Sequence, residues 1–349
     1  MQPKVGISIG DPNGIGLEVI IKTLSHPKIT SFCTPVIYGS ARVVRLHQEL
    51  LGTKALKLNA CGTPDRIEAG RVNVIDCWEE MIELKMGEVS ADSGHFASLS
   101  LERATQDLQA GVIDTLVTAP IHKKAMKLAK FPYPGHTEYL TKMAGEHDSL
   151  MFMCHEGLRI GLVTNHTPLE RVPTLITKDR ILKKLRIMST TLQRDFGIER
   201  PVIAVLGLNP HASDDGAIGE EESKVIRPAV LEAKKQNMIV TGPFAADGFF
   251  GSSNYRKYDA ILAMYHDQGL IPFKTLSFGE GVNYTAGLPF VRTSPDHGTG
   301  FDIAGQGKAD ESSFRKALFL ALDLIRHRQR HDEAHANPVE KRKVRKERR

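Results

Sequence analysis

Cysteine is scarce in this sequence. The four residues, Cys33, Cys61, Cys77 and Cys154, are scattered without a C-x-x-C pair. Neither a disulfide framework nor a zinc ribbon is indicated, and a reducing compartment fits. Long apolar runs are missing too: no stretch approaches the roughly 18 residues needed to cross a bilayer. The opening MQPKVGISIGDPNG lacks the basic flank and apolar run of a signal peptide, so a cytoplasmic protein is expected. Two phosphate-loop signatures are also absent. Read from Gly14, G-x-G-x-x-G needs glycine where Val19 stands, and no lysine follows these glycines as G-x-x-x-x-G-K-[ST] requires. The GDPNGIG segment therefore reads as a tight strand-to-helix turn in which glycine tolerates the backbone angles.

Charge of one sign is lacking from most of the chain. The formal net charge is +5, but ten Lys or Arg against four Asp or Glu lie from Arg326 onward. The remainder carries 36 basic and 37 acidic residues, so the surplus belongs to the C-terminal end. Residues 331–349 read as a basic, disordered, solvated tail without aromatic residues, and nucleic acid is not an expected partner. What is present is an ordinary globular balance, 41% hydrophobic and 25% charged over 349 residues, enough for two domains.

Short β-branched runs alternate with amphipathic stretches. Strands are predicted at Val5–Ile9, Pro35–Tyr38, Val72–Ile75, Thr115–Thr118, Leu150–Met153, Ile160–Val163, Val202–Leu206 and Ala260–Met264. Helices are predicted at Val19–Leu24, Ala91–Ala110, Lys178–Phe196, Glu221–Gln236 and Ser312–Arg326. This pattern argues for an α/β fold with parallel sheets covered on both faces. The FPYPG segment at 131–135 reads as a crossing between domains.

Three histidines share one local grammar. His166, His211 and His266 each follow an apolar strand-like run, in IGLVTNH, VIAVLGLNPH and AILAMYH. Ligands gather outside the carboxyl ends of strands in open parallel sheets, and three imidazoles suit a first-row divalent cation with an open position. A single such histidine is more often structural; three with the same placement carry more weight. Cations that suit a phosphate dianion lie further on, at Lys274 and Arg292, with Asn283 between them. His136 and Thr137 open a predicted helix, a place that also favours anions. The 294–307 segment holds four glycines with His297 and Asp302, and Asp can accept from ribose hydroxyls. Asp247 and Asp267 are the candidate general bases, Asp247 being slightly preferred as a substrate-contacting or supporting group.

The motifs GDPNGIG, VTAPIHK, PGHTEYL, VTNH, LNPHA, MYHDQGLIPFK and VNYTAGLPFVRTSPDHGTGFDIAG resemble, in this order, the 4-hydroxythreonine-4-phosphate dehydrogenase family. The likeness runs from about residue 4 to about residue 327. It implies two α/β/α three-layer domains with a cleft between them, as in isocitrate and isopropylmalate dehydrogenases. The first would comprise 1–130 with 285–330, the second 131–284. It further implies a homodimer with a shared site, His166 and His211 of one subunit and His266 of the other holding one divalent metal, whether zinc, magnesium or cobalt. Substrate would meet His136, Thr137, Lys274, Asn283 and Arg292, and NAD would meet His297, Gly298 and Asp302. The implied reaction is oxidation of 4-phosphooxy-L-threonine at C3 followed by decarboxylation, in vitamin B6 biosynthesis. A dehydrogenase of 4-phospho-D-threonate or erythronate is the near alternative, and a metal-dependent phosphatase the distant one. The chain departs from the family at Leu17, usually proline, at His122, usually asparagine, and at Gly300, usually alanine.

Overall fold

A computed structural model describes residues 2–53 and 56–336. The strands in chain order are β1 (Lys4–Ser8), β2 (Thr34–Gly39), β3 (Leu58–Cys61), β4 (Val72–Asp76), β5 (Thr115–Thr118) and β6 (Leu150–His155). They continue with β7 (Leu158–Leu162), β8 (Val202–Leu206), β9 (Ile239–Phe244), β10 (Ala260–Ala263), β11 (Val282–Ala286) and β12 (Arg292–Pro295). All twelve join one sheet in the order β3-β4-β2-β1-β5-β12-β11-β6-β7-β10-β8-β9. Every residue of β2 is buried, as befits a strand covered on both faces.

The two wings are parallel, as the sequence pattern predicts, but the middle is not. The pairs β12–β11, β11–β6 and β6–β7 run antiparallel. The cause is loop length: β6 and β7 are joined by Glu156 and Gly157 alone, too short for a parallel crossover. Glu156 adopts φ 49° to close that turn. The apolar content of both strands is visible in the sequence, whereas the hairpin between them is not.

Helices cover both faces. Ala91–Gln109 starts where the Ser90 side chain accepts a hydrogen bond from the Ser93 N–H at 3.0 Å, and Lys178–Arg194 starts where Thr177 accepts from the Arg180 N–H at 3.3 Å. The last helix, Ser312–His335, runs past the predicted end at Arg326 and takes in the first residues of the expected tail. Residues from 337 onward lie outside the described region.

A buried polar cluster pins this helix to the middle of the sheet. Arg328 Nε donates to Asp195 Oδ1 at 2.6 Å, its terminal nitrogens reach the carbonyls of Leu288 and Pro289, and Tyr284 Oη donates to Asp195 Oδ2. Removing one partner strands a buried charge, which costs about 3–5 kcal/mol. Arg328→Met should therefore lower unfolding stability by about that amount in urea titration, and pairing it with Asp195→Leu should recover part of the loss. Additive losses in the double variant would show that the pair does not act as a unit.

Candidate active site

The cavity lies where strand direction switches. Alternate residues of neighbouring strands share one face of a pleated sheet. Met151 and Met153 of β6, Asn283 of β11, and Arg292 and Ser294 of β12 accordingly line one cavity of about 350 Å³. The wall comes from the segment after β5, through Pro120, Ile121 and Lys123, and from the start of the helix His136–Met143. His166, His266, Lys274, His297 and Gly298 complete it.

Register explains why two of the three strand-end histidines meet. Strands β7 and β10 are parallel, with Ile160 opposite Ile261 and Leu162 opposite Ala263. The pairing continues beyond the ladder: Thr164 N–H and Oγ1 both donate to the Met264 carbonyl, at 3.2 and 2.8 Å. Chains leaving such neighbours in step bring His166 and His266 side by side, their ring centroids 5.6 Å apart. His266 Nδ1 is engaged by Asp267 Oδ1 at 2.7 Å, the carboxylate–imidazole arrangement that orients metal-ligating histidines. Burial, with Lys123 and His266 nearby, lowers the His166 imidazole below its ordinary value, against the opposing Glu138 carboxylate. A neutral imidazole is the form that binds cations.

His211 is placed differently. β8 flanks β10 on its other side, and His211 begins a turn of left-handed residues, with φ 52° at His211 and 51° at Ala212. It opens into a separate depression with Asp247, Asp267, Phe250 and Ile271. Within one chain His166 thus neighbours His266, while His211 lines the other depression. Among the described residues, no group of three His, Cys, Asp or Glu side chains converges on a cation position within one chain.

The anion-binding expectation has a clear geometric basis. Arg292 is only 2% exposed, yet its guanidinium meets hydroxyls rather than a carboxylate: Nε donates to Thr118 Oγ1 at 3.1 Å, one terminal nitrogen to the same oxygen, and the other to Thr285 Oγ1 at 3.0 Å. Burial pushes its pKa down to about 9, opposed by Glu138, so it keeps its charge at neutral pH. Burial and the neighbouring Arg292 hold His136 well below the ordinary imidazole range, hence neutral. Lys274 Nζ donates to the Asp296 carbonyl at 3.2 Å and lines the same cavity. Four buried atoms of this cavity have no hydrogen-bond partner among the described residues: His136 Nε2, Asn165 Oδ1, Asn283 Oδ1 and His297 Nε2. Such atoms are costly unless a ligand or an ordered water satisfies them.

Of the residues singled out from sequence, His136, Thr137, His166, His266, Lys274, Asn283, Arg292, His297 and Gly298 share this cavity. Asp302 is exposed and lies beyond its rim. Sequence reasoning missed Glu138, Asn165 and Asp296. Glu138 and Asn165 adjoin Thr137 and His166, a signal that proximity in the motifs offered; Asp296 adjoins His297. Burial raises the Asp296 carboxyl above its ordinary value, against Lys274 and His297.

The family profile of the pyridoxal phosphate biosynthetic protein PdxA matches residues 31–321. The chain belongs to the PdxA family. A 4-hydroxythreonine-4-phosphate dehydrogenase of Bacteroides thetaiotaomicron is 47% identical over 339 residues, covering 97% of this chain and 93% of that protein. A putative D-threonate 4-phosphate dehydrogenase of Symbiobacterium thermophilum is 40% identical over 320 residues, covering 91% and 95%. The crystal structure of a 4-hydroxythreonine-4-phosphate dehydrogenase from Klebsiella pneumoniae superposes with TM-score 0.83 at 38% identity, covering 93% of this chain and 98% of that one. As a PdxA-family member the chain is an α/β oxidoreductase. No helix among the described residues is long and apolar enough to cross a membrane.

Proposed function

We propose that this PdxA-family chain uses NAD to oxidise 4-phosphooxy-L-threonine at C3, with loss of carbon dioxide to give 3-amino-2-oxopropyl phosphate, in vitamin B6 biosynthesis. The observation that carries this reading is the buried Arg292 guanidinium, hydrogen-bonded to hydroxyls and to no carboxylate, in one cavity with the His166–His266 pair. A fixed buried cation with no carboxylate bonded to it calls for an anionic ligand. Arg292, Lys274 and neutral His136 would hold the phosphate, with Thr137 and Asn283 completing its hydrogen bonds. Fixing the phosphate end aims the reacting carbon at the imidazoles, which supplies orientation.

The two neighbouring imidazoles, one already oriented by Asp267, fit a divalent cation such as zinc, magnesium or cobalt. Bound there, the cation would polarise the substrate hydroxyl and stabilise negative charge as carbon dioxide leaves. The third imidazole, His211, would come from a second copy of the chain, and Asp247 beside it would enter the same shared site. Asp296 is the carboxyl of the cavity itself that is best matched to take a proton, because burial has raised it. NAD would lie along His297, Gly298 and Asp302. The wings of the sheet would act as two domains, 1–130 with 285–330 and 131–284, in a cytoplasmic homodimer.

The test is growth of the near-ultraviolet absorbance of reduced nicotinamide on mixing protein, NAD, a divalent cation and 4-phosphooxy-L-threonine. Turnover of that substrate is expected; its absence with every cation tried would sink the proposal. The Symbiobacterium relative favours one second reading, oxidation of 4-phospho-D-threonate. Comparing kcat/KM on the amino and hydroxy substrates decides between them.

A further inference from the structure

The GDPNGIG turn makes a close approach that the functional reading above does not use. A Cβ on Gly14 would stand 2.7 Å from the Thr299 carbonyl oxygen and 3.3 Å from Phe301 Cε1, so only glycine lets the 299–301 backbone settle here. Ile15 N–H donates to that Thr299 carbonyl at 2.9 Å. A Cβ on Gly87 would likewise meet the Phe301 carbonyl oxygen at 2.6 Å. Phe301 is therefore seated against two glycines.

His122 also stacks on Phe301, with ring centroids 4.8 Å apart and planes inclined by 20°. Its chain neighbours Ile121 and Lys123 line the substrate cavity, and the Pro120 carbonyl accepts from the Asp11 N–H at 2.9 Å. One ring thus connects three segments: the glycine turn, the cavity wall after β5, and the loop that leaves the cavity at His297 and Gly298. Nδ1 of His122 is buried without a hydrogen-bond partner among the described residues. The stack on Phe301, rather than a polar bond at that atom, ties the side chain to the loop.

We infer that His122 is a positioning residue for the nicotinamide dinucleotide. By stacking on Phe301 it holds the 297–302 loop in place before the cofactor arrives, and a loop already ordered loses less entropy on binding. This rests on the proposed reading of that loop as the cofactor site. Alanine at 122 removes the stack; phenylalanine keeps it and removes the nitrogens.

The experiment measures three quantities in the unaltered protein, His122→Ala and His122→Phe. These are hydrogen exchange over residues 298–303 without ligand, the Kd for NAD, and the Kd for inorganic phosphate. His122→Ala should speed exchange in the loop and weaken NAD by about three- to tenfold, the range of an aromatic stack. Phosphate binding should not change, and His122→Phe should stay close to the unaltered protein in all three. Unchanged exchange or unchanged NAD affinity in His122→Ala would overturn the inference. So would a His122→Phe variant as impaired as His122→Ala, since that would assign the effect to a ring nitrogen. If the unaltered protein binds phosphate but no NAD, the cofactor reading itself fails and takes this inference with it.

Discussion

Arg292→Met is expected to abolish nearly all turnover while leaving the folded protein intact. Its guanidinium is buried against Thr118 and Thr285 hydroxyls, with no carboxylate bonded to it. In the free protein this charge is a burden, because its desolvation is offset only by hydroxyl acceptors and by Glu138, which makes no hydrogen bond to it. With an anion bound it becomes the partner of a buried charge pair, whose truncation costs about 2–5 kcal/mol. A loss in kcat/KM of about thirty- to several-thousandfold follows. The melting temperature of the ligand-free variant should match or exceed that of the parent, and the stabilisation that inorganic phosphate gives the parent should vanish. A variant that melts much lower would mean that Arg292 serves the fold, and the anion site would lose its main support. pH offers a second readout. Burial sets the group at about 9, so phosphate affinity should persist through neutrality and decline as pH rises past that value.

Subunit mixing is the second large effect, because its result is close to all or none. His166 and His266 line one cavity, while His211 opens elsewhere in the same chain. If His211 completes the partner's site, a hybrid of His166→Ala and His211→Ala subunits contains one intact site. Random exchange between these two inactive proteins should restore about a quarter of full activity. Mixing His166→Ala with His266→Ala should restore nothing, since both lesions fall on one chain's share. The grouping implied by resemblance, His166 with His211, predicts the reverse outcome in each mixture. Recovery in the second mixture, with none in the first, would reject the pairing that the β7–β10 register creates.

Sharing of this kind would also bury an apolar side chain of the second depression. Ile271, 64% exposed, stands beside Phe250, His211 and Asp247. A second copy that carried its own cavity to this His211 would cover Ile271 as well.

Much of this protein is legible along the chain. The apolar runs of β1, β2, β4, β5, β8 and β10 are short, β-branched and bounded by turn residues, so local composition suffices to place them. The strand-end position of three histidines is equally a one-dimensional fact, and so are the motifs that mark the family. β3, β9, β11 and β12 are harder to read. β12, Arg-Thr-Ser-Pro, is polar because alternate residues floor the cavity and hydrogen-bond within it, so the usual apolar signal is diluted. The antiparallel centre escapes composition as well, since short connections, two residues between β6 and β7 and five between β11 and β12, fix direction without changing hydrophobicity.

By itself the sequence determined the α/β class, the residue types of an anion-and-cation site, and their order along the chain. Only the tertiary structure decided which of them meet. Register between parallel strands is set by long-range hydrogen bonding, and it put His166 beside His266. Left-handed backbone at His211 turned that residue into another depression. Burial, which belongs to no residue taken alone, put the Arg292 guanidinium at the floor of the cavity with hydroxyls, and no carboxylate, as its hydrogen-bond partners.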